Sequence, residues 1–475
     1  MLSYPDWVLK HKTKGTEIRK IGQGYYLYKI TSRWSKEKKR PVKVTTGFLG
    51  TITETGLVKS RAIRLAESIE HITIKEYGAF QLVWQQNRDI LEALKELFPT
   101  RFKELWIMAY LRLMYQTPLK HLDLYYQTSF VSEVLPQVRF NDKGITACLR
   151  DIGQERGKIV TFLQRFVKGT SFVLIDATHV ISLSSNHLGY NNKHQYSPQV
   201  NLLFIYEAEQ KLPVYYRLVA GNIREIKALK MTLLESGLKD AIVVTDKGFY
   251  SQENVKAMGS EDLRYIIPMK RNSRLIDYTP TLTAGKANFD GYFSFEERVI
   301  WYKKTDHGND TAMWLYLDEE LKLAEQKDYL QRVQNNRQGY SLEVFHTKQH
   351  RFGTIALLSS LKDTHASILF NYFKSRSAIE TMFDTFKNIL SADRTYMQGD
   401  IEMETWMFIH HLALIFYYRL YQRLIDKDLL KKYSPKDLLL YFSQVKKIKV
   451  QDQWKVAEIP QKVGALIKKY DIPIP

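Results

Sequence analysis

Two stretches, SFVLIDATHVISL at 171–183 and DAIVVTD at 240–246, decide how this chain folds. Each is a run of β-branched and large apolar residues leading to an aspartate, Asp176 after FVLI and Asp246 after IVVT. Runs that are apolar at successive positions, without alternation, read as strands buried on both faces. Between and beyond them, QVNLLFIYEA (199–208), LPVYYRLVAG (212–221) and RYIIPMK (264–270) read as further strands, and REIKALKMTLLESG (224–237) as a helix. The order strand–strand–strand–helix–strand predicts a mixed α/β sheet. In open α/β sheets functional groups gather where strands end and side chains leave the packed layer. An aspartate there is placed to hold a hard cation through oxygen. The same placement suits an aspartate that merely caps a turn or helix; two of them, on strands able to lie side by side, favour a site. Lys247, Gly248, Phe249 and Tyr250 follow the second aspartate. The glycine permits a close backbone approach or an ordinary tight turn.

Outward from this core (171–274), the rhythm breaks at 275–355. There FSFEERVIWYKK, TAMWLYLDEEL, SLEVFHTKQ and FGTIALLSSL read as strands of a β-rich insertion, with a charged helical piece near 320–335. The core resumes over 356–425, with helices from 364 to about 425. On the other side, 57–170 is helical: ILEALKELF and FKELWIMAYLRLMY place apolar residues three and four apart. This region reads equally as a module that binds DNA ends or as a packing layer. Residues 1–56 are β-rich, with YYLYKI and PVKVTTGFLG flanking the charged turn SKEKKR. The tail, 426–475, is basic and reads as helical.

A third acid stands on the predicted helix RSAIETMFDTFK (376–387). With Glu380 at zero and about 100° per residue, Arg376 falls near −40° and Lys387 near −20°, while Ile379, Phe383, Phe386 and Leu390 cluster near −90°. One side of the helix is then a core stripe and the neighbouring side presents Arg, Glu and Lys together. A solvated face with i,i+4 ion pairs has the same pattern. Asp384, at about +40°, competes with Glu380 for the role on geometry alone.

The formal net charge of +19 over 475 residues favours polyanionic partners, nucleic acid first. The densest basic clusters are Lys36, Lys38, Lys39, Arg40 and Lys43, and Lys446, Lys447 and Lys449. Each reads as a solvated loop or as a phosphate contact. The single cysteine, Cys148, rules out an internal disulfide or a thiolate metal site. The start, MLSYPDWVLKHK, has no apolar signal region, and WMFIHHLALIFYYRLY (406–421) is too short and polar for a membrane span. The expectation is a cytoplasmic, nucleoid-associated protein with no membrane partner.

Taken in order, FVLIDATHV, VVTDKGFY and RSAIETMFDTFK, with a β-rich insertion before the glutamate, resemble the DDE transposases of prokaryotic insertion sequences, in the group with a Tyr-Arg-Glu-Lys signature. The resemblance covers about 170–420. It implies an RNase H-like catalytic core and a triad of Asp176, Asp246 and Glu380. These would hold two Mg²⁺ ions, with Mn²⁺ as a substitute, for DNA strand cleavage and strand transfer. It also implies a homodimer acting on the terminal inverted repeats of its element and on target DNA, with Arg376 and Lys387 on the DNA backbone. The family tyrosine belongs three residues before Arg376, where this chain has Phe373 with Tyr372 beside it. Phe373 can stack on a base or sugar but has no hydroxyl for a phosphate, which Tyr372 could supply through a local helix adjustment; both are read as DNA contacts, with simple packing of both as the alternative. The rival readings are a relative that binds DNA without chemistry, and a metal-dependent nuclease without strand transfer. Among other residues, His179, His187 and His194 have no familiar zinc spacing. His410 and His411 face different ways on one helix, and Trp406 reads as core.

Overall fold

The computed structural model describes residues 4–473 apart from 70–71, 185–187, 191–195, 221–224, 284, 309 and 451. Four antiparallel strands, Thr16–Ile21 (β1), Gly24–Ser35 (β2), Arg40–Thr53 (β3) and Gly56–Lys59 (β4), form an N-terminal meander. It closes on a small apolar core of its own, Val8, Ile18, Leu27 and Ile52. Thr73–Glu76 (β5) follows, inside the segment read as helical, and then a series of helices up to Val167.

The central sheet has eleven strands. They are Phe172–Ser182 (β6), Leu188–Tyr190 (β7), Tyr196–Glu207 (β8), Leu212–Ala220 (β9), Ile242–Thr245 (β10), Arg264–Pro268 (β11), Gly291–Phe295 (β12), Arg298–Gly308 (β13), Thr311–Asp318 (β14), Thr354–Ser359 (β15) and Arg394–Thr395 (β16). The middle of this mixed α/β sheet runs β9-β8-β6-β10-β11. There β6, β10 and β11 are parallel, and β8 and β9 are antiparallel to their neighbours. Residues 172–175 and 242–245 are all buried, which explains their unbroken apolar character. The strands of 291–359 do not stand apart: β15 pairs with β11, and β14, β13 and β12 follow outward, so they extend the same sheet. Of the four segments read there as strands, SLEVFHTKQ is instead a helix, Leu342–Lys348, started by the Ser341 hydroxyl accepting from the Val344 amide at 3.2 Å. Glu319–Gln334 is the helical piece.

The 27-residue helix Asp400–Asp426 is buried on all sides over most of its length, as is Phe102–Tyr115 against it. A helix apolar all round belongs inside, and Phe102–Tyr115, buried from Leu105 to Leu113, offers no face to DNA. One apolar core runs through these helices and the sheet. No helix among the described residues is long and apolar enough to cross a membrane. Cys148 is buried, and burial pushes its thiol up to about 12, so it stays protonated.

The tail differs from expectation. Lys446–Val450 (β17) and Gln453–Val456 (β18) form a three-stranded antiparallel sheet with β5. Their partner lies at the other end of the chain, so local periodicity carries no trace of the pairing. The ammonium of Lys447 sits 3.9 Å from the Tyr77 ring centroid and 4.8 Å from that of Phe130. This member of the second basic cluster is therefore engaged in packing.

Buried Arg112, at the end of Phe102–Tyr115, donates to the carbonyls of Gln116 and Thr117 at 3.1 Å and of Ser391 at 2.7 Å. It ties the helical layer to the chain that leaves the Glu380 helix. We predict that Arg112→Met lowers stability by about 3 kcal/mol, because several carbonyls lose their donor in a buried setting. Urea unfolding of both proteins checks this, and an unchanged midpoint would contradict it.

Candidate active site

The register of the two aspartate strands sets the site. Ile175 pairs with Thr245 as the last parallel rung between β6 and β10. The next residue on each strand is the aspartate, so Asp176 and Asp246 emerge side by side where the rungs stop. Asp176 is not at a strand end, as the sequence suggested: β6 runs on to Ser182, paired with β8 and not with β10. Asp246 precedes the 3₁₀ turn Lys247–Phe249 but makes no side-chain cap there. The capping explanation for this residue is thereby excluded.

The Glu380 helix is less regular than an ideal helical wheel. Ala366–Lys374 ends in a turn at 375–376, Ser377–Asp384 resumes the α-helix, and Thr385–Ile389 widens to a π-turn. The segment is pinned over β6 and β8 by rings: Tyr372 packs on Phe172 at 4.7 Å, and Phe383 and Phe386 pack on Phe204 at 5.9 and 5.4 Å. Arg376 sits in the turn, just ahead of the helix that carries Glu380.

From there one guanidinium reaches all three acids. Arg376 Nη1 donates to Asp246 Oδ1 at 3.0 Å and stands 3.5 Å from Asp176 Oδ2, while Nη2 donates to Glu380 Oε1 at 2.8 Å. Because one nitrogen serves both aspartates, their oxygens can be no farther apart than those two distances laid end to end. Asp176 Oδ1 also accepts from the Ala177 amide at 2.8 Å. Arg376 is only 23% exposed and Glu380 56%, so the cluster opens to solvent from the glutamate side. Asp384 is elsewhere, accepting from Asn388 Nδ2 at 2.6 Å. This separates the two acids that the wheel could not.

Three carboxylates around one guanidinium leave an excess of negative charge in a partly desolvated place, which attracts further cations. The donors are all carboxylate oxygens, the set that hard divalent ions such as Mg²⁺ take. Among the described residues no three His, Cys, Asp or Glu side chains are close enough, as placed, to enclose a metal ion. The guanidinium lies between the three acids, and a cation held by all of them requires it to turn away.

Asp246 and Arg376 also border a cleft of about 610 Å³ with Lys247, Lys270, Asn272 and Phe373. Phe373 therefore lines the cleft, while Tyr372 packs inward. Lys247 and Lys270 are exposed and the cleft is basic. Its remaining arginine, Arg271, is held by two 2.9 Å bonds to Glu325 on the helix Glu319–Gln334. The sequence reading assigned no role to Lys270 or Asn272. The available signal was that RYIIPMK ends a strand parallel to β10, which brings its C-terminal end to the same edge as Asp246.

Lys387 is not part of the ion-pair set. It is half-buried on the π-turn, its pKa lowered by burial and partly restored by Asp393. His179 has its pKa lowered by burial and by Lys387. His410 and His411 are fully buried and held neutral by burial, His411 at about 3. They pack against Trp406 at 4.4 Å and Tyr216 at 5.1 Å, and Trp406 is itself core. His187 and His194 lie outside the described residues.

The family model described as a transposase DDE domain matches residues 168–416, from just before β6 into the long buried helix. The chain belongs to this family of DDE transposase domains. Among curated proteins no match is found. Among solved structures, a cryo-EM structure of a piggyBac transposase synaptic complex with hairpin DNA is similar at a TM-score of 0.41 and 12% identity, covering 72% of this chain and 69% of that one. That likeness is too distant to carry an argument. Within the matched span of the transposase domain lie all three acids and Arg376.

Loss of the shared guanidinium leaves three like charges facing one another. We predict that Arg376→Ala lowers the stability of the metal-free protein by about 1–2 kcal/mol. We also predict that millimolar Mg²⁺ raises its melting temperature more than it raises that of the wild type. Thermal melts with and without Mg²⁺ test this; equal shifts for the two proteins would contradict it.

Proposed function

We propose that this chain is a DNA transposase of the prokaryotic insertion-sequence type, in the Tyr-Arg-Glu-Lys group, which cuts and joins DNA through Asp176, Asp246 and Glu380. The observation that carries this reading is the contact of one guanidinium with all three carboxylates, which come from two strands and a distant helix. The order β9-β8-β6-β10-β11 is read as an RNase H-like core, with 275–355 as the insertion ahead of the glutamate helix.

Asp176, Asp246 and Glu380 would hold the Mg²⁺ ions. When bound, a pair of such ions supports in-line displacement at phosphorus by water or a 3′-hydroxyl. The chain's own residues do the rest. Arg376, freed from the acids, offers a planar fork that suits a phosphate. Lys387, half-buried and without an ion-pair partner among the described residues, supplies a second cation whose desolvation strengthens its pull on a phosphate. Lys247 and Lys270 line the approach beside Asp246. Phe373, in the position of the family tyrosine, stacks where that residue would bond. The partners are the terminal inverted repeats of the element and a target duplex, engaged by a homodimer.

Incubation of the full chain with plasmid carrying the DNA that flanks its coding sequence tests this. Mg²⁺-dependent nicking followed by joining is expected, with none in EDTA. Binding without cleavage would indicate a relative that has lost chemistry, and cleavage without joining a nuclease. Asp176→Asn, Asp246→Asn and Glu380→Gln should each reduce cleavage by on the order of 10³ or more while sparing DNA binding. Lys387→Ala should cost ~10²-fold. Asp384→Asn should cleave normally.

A further inference from the structure

The N-terminal meander is long on one side. β1 pairs with β2 only as far as Thr16–Lys29, and β4 pairs with β3 only over Gly50–Thr53. Beyond those rungs β2 and β3 have only each other as strand partners, from Ile30–Thr45 out to Ser35–Arg40, although the Ile30 amide still donates to the Gly15 carbonyl at 2.8 Å and Lys43 reaches back to Glu17 at 2.9 Å. No residue from 29 to 48 is buried. The result is a two-stranded ribbon projecting roughly 20 Å at about 3.3 Å per residue. Register shifts between Leu27 and Tyr28 and between Lys29 and Ile30 mark its base, where bulges bend and twist strands.

A ribbon of two strands without a core is marginal by itself, and its edges are open. Its composition states what it is built to meet. Residues 29–48 carry seven Lys or Arg and a single acid, Glu37. At the tip, Lys36, Lys38, Lys39 and Arg40 are exposed and have no ion-pair partner among the described residues. Just behind them Trp34, paired with Pro41, is 64% exposed. The other dense cluster behaves differently: Lys447 is committed to the Tyr77 and Phe130 rings. Unpaired cations on a projecting ribbon are an electrostatic footprint for a polyanion. The major groove of a DNA duplex, about 12 Å wide, admits a two-stranded ribbon.

We infer that the 29–48 ribbon is a DNA arm, which lays its strands in the major groove of a duplex with the tip cations on flanking phosphates and Trp34 against the groove wall. This rests on the proposed function for its partner, but not on the acids for its binding. None of residues 29–48 lines the cleft beside Asp246, so the arm's contacts are distinct from those of the cleft.

The test uses the full chain and a fluorescein-labelled 30-base-pair duplex of arbitrary sequence, without metal, titrated at several salt concentrations. A variant with Lys36, Lys38, Lys39 and Arg40 changed to Ser should bind at least about tenfold more weakly near 0.1 M salt. Its log–log salt slope should be shallower by about 0.9 for each phosphate that the arm no longer neutralises. The control changes exposed Lys431, Lys432, Lys468 and Lys469 to Ser, which removes the same charge elsewhere and should leave the slope nearly intact. Melting temperatures should match the wild type, since the arm has no buried residue. Equal losses in both variants, or none in the tip variant, overturn the arm. An unchanged affinity for Trp34→Ala overturns groove insertion, and tip-dependent binding to phosphatidylserine vesicles with no duplex binding reassigns the partner. Plasmid nicking by the same preparations separates the two proposals. A wild type that binds through the arm but never nicks defeats the transposase reading alone, and one that nicks with a dispensable arm defeats the arm alone.

Discussion

Arg376 and the three acids around it hold the logic of the molecule. A carboxylate cluster this close is costly unless a cation sits within it, and here the protein carries its own on the turn just before Glu380. The arrangement offsets part of that charge with a cation of the chain's own. On the proposed function it would also couple two events, because an ion that took the acids would have to turn the guanidinium away from them. That proposal would tie cation binding to the release of a guanidinium whose planar fork suits a phosphate.

Everything else keeps that meeting point in register. The parallel rungs between β6 and β10 stop at Ile175 and Thr245, so the two aspartates follow side by side on the next step of each strand, with Asp176 still paired to Phe204 of β8. The glutamate helix is fixed from beneath by Phe383 and Phe386 on Phe204, and its far end by Arg112 on the Ser391 carbonyl. The buried helices Phe102–Tyr115 and Asp400–Asp426 supply the mass behind it. The strands of 291–359 lengthen the sheet, and Glu325, on the helix Glu319–Gln334 between them, braces Arg271 beside the cleft, so this segment shapes the approach to Asp246.

Basic charge alone was ambiguous, and the fold divides it. Lys447 is engaged by aromatic faces, Arg271 by Glu325, and Arg376 by the acids. Among the described residues, the cations without an ion-pair partner include Lys247 and Lys270 at the cleft, Lys387 on the π-turn, and Lys36, Lys38, Lys39 and Arg40 at the tip of the N-terminal ribbon. A net charge says that a polyanion is favoured; only the pairing shows which side chains remain to meet it.

What the sequence determined by itself was whatever depends on near neighbours. The unbroken apolar runs of β6 and β10, the apolar stripe beside Glu380 and the order of the three acids were all legible, because strand burial and helix periodicity are written within a few residues. Tertiary structure alone decided the rest. The meeting of Glu380 rather than Asp384 with the aspartates, the packing of Tyr372 on Phe172 and the half-buried place of Phe373 at the cleft, the pairing of β17 with β5 and the shared guanidinium each depend on contacts between segments far apart in the chain. A local pattern fixes which way a side chain points relative to its own helix or strand, but the partner it finds there is set by how distant elements pack.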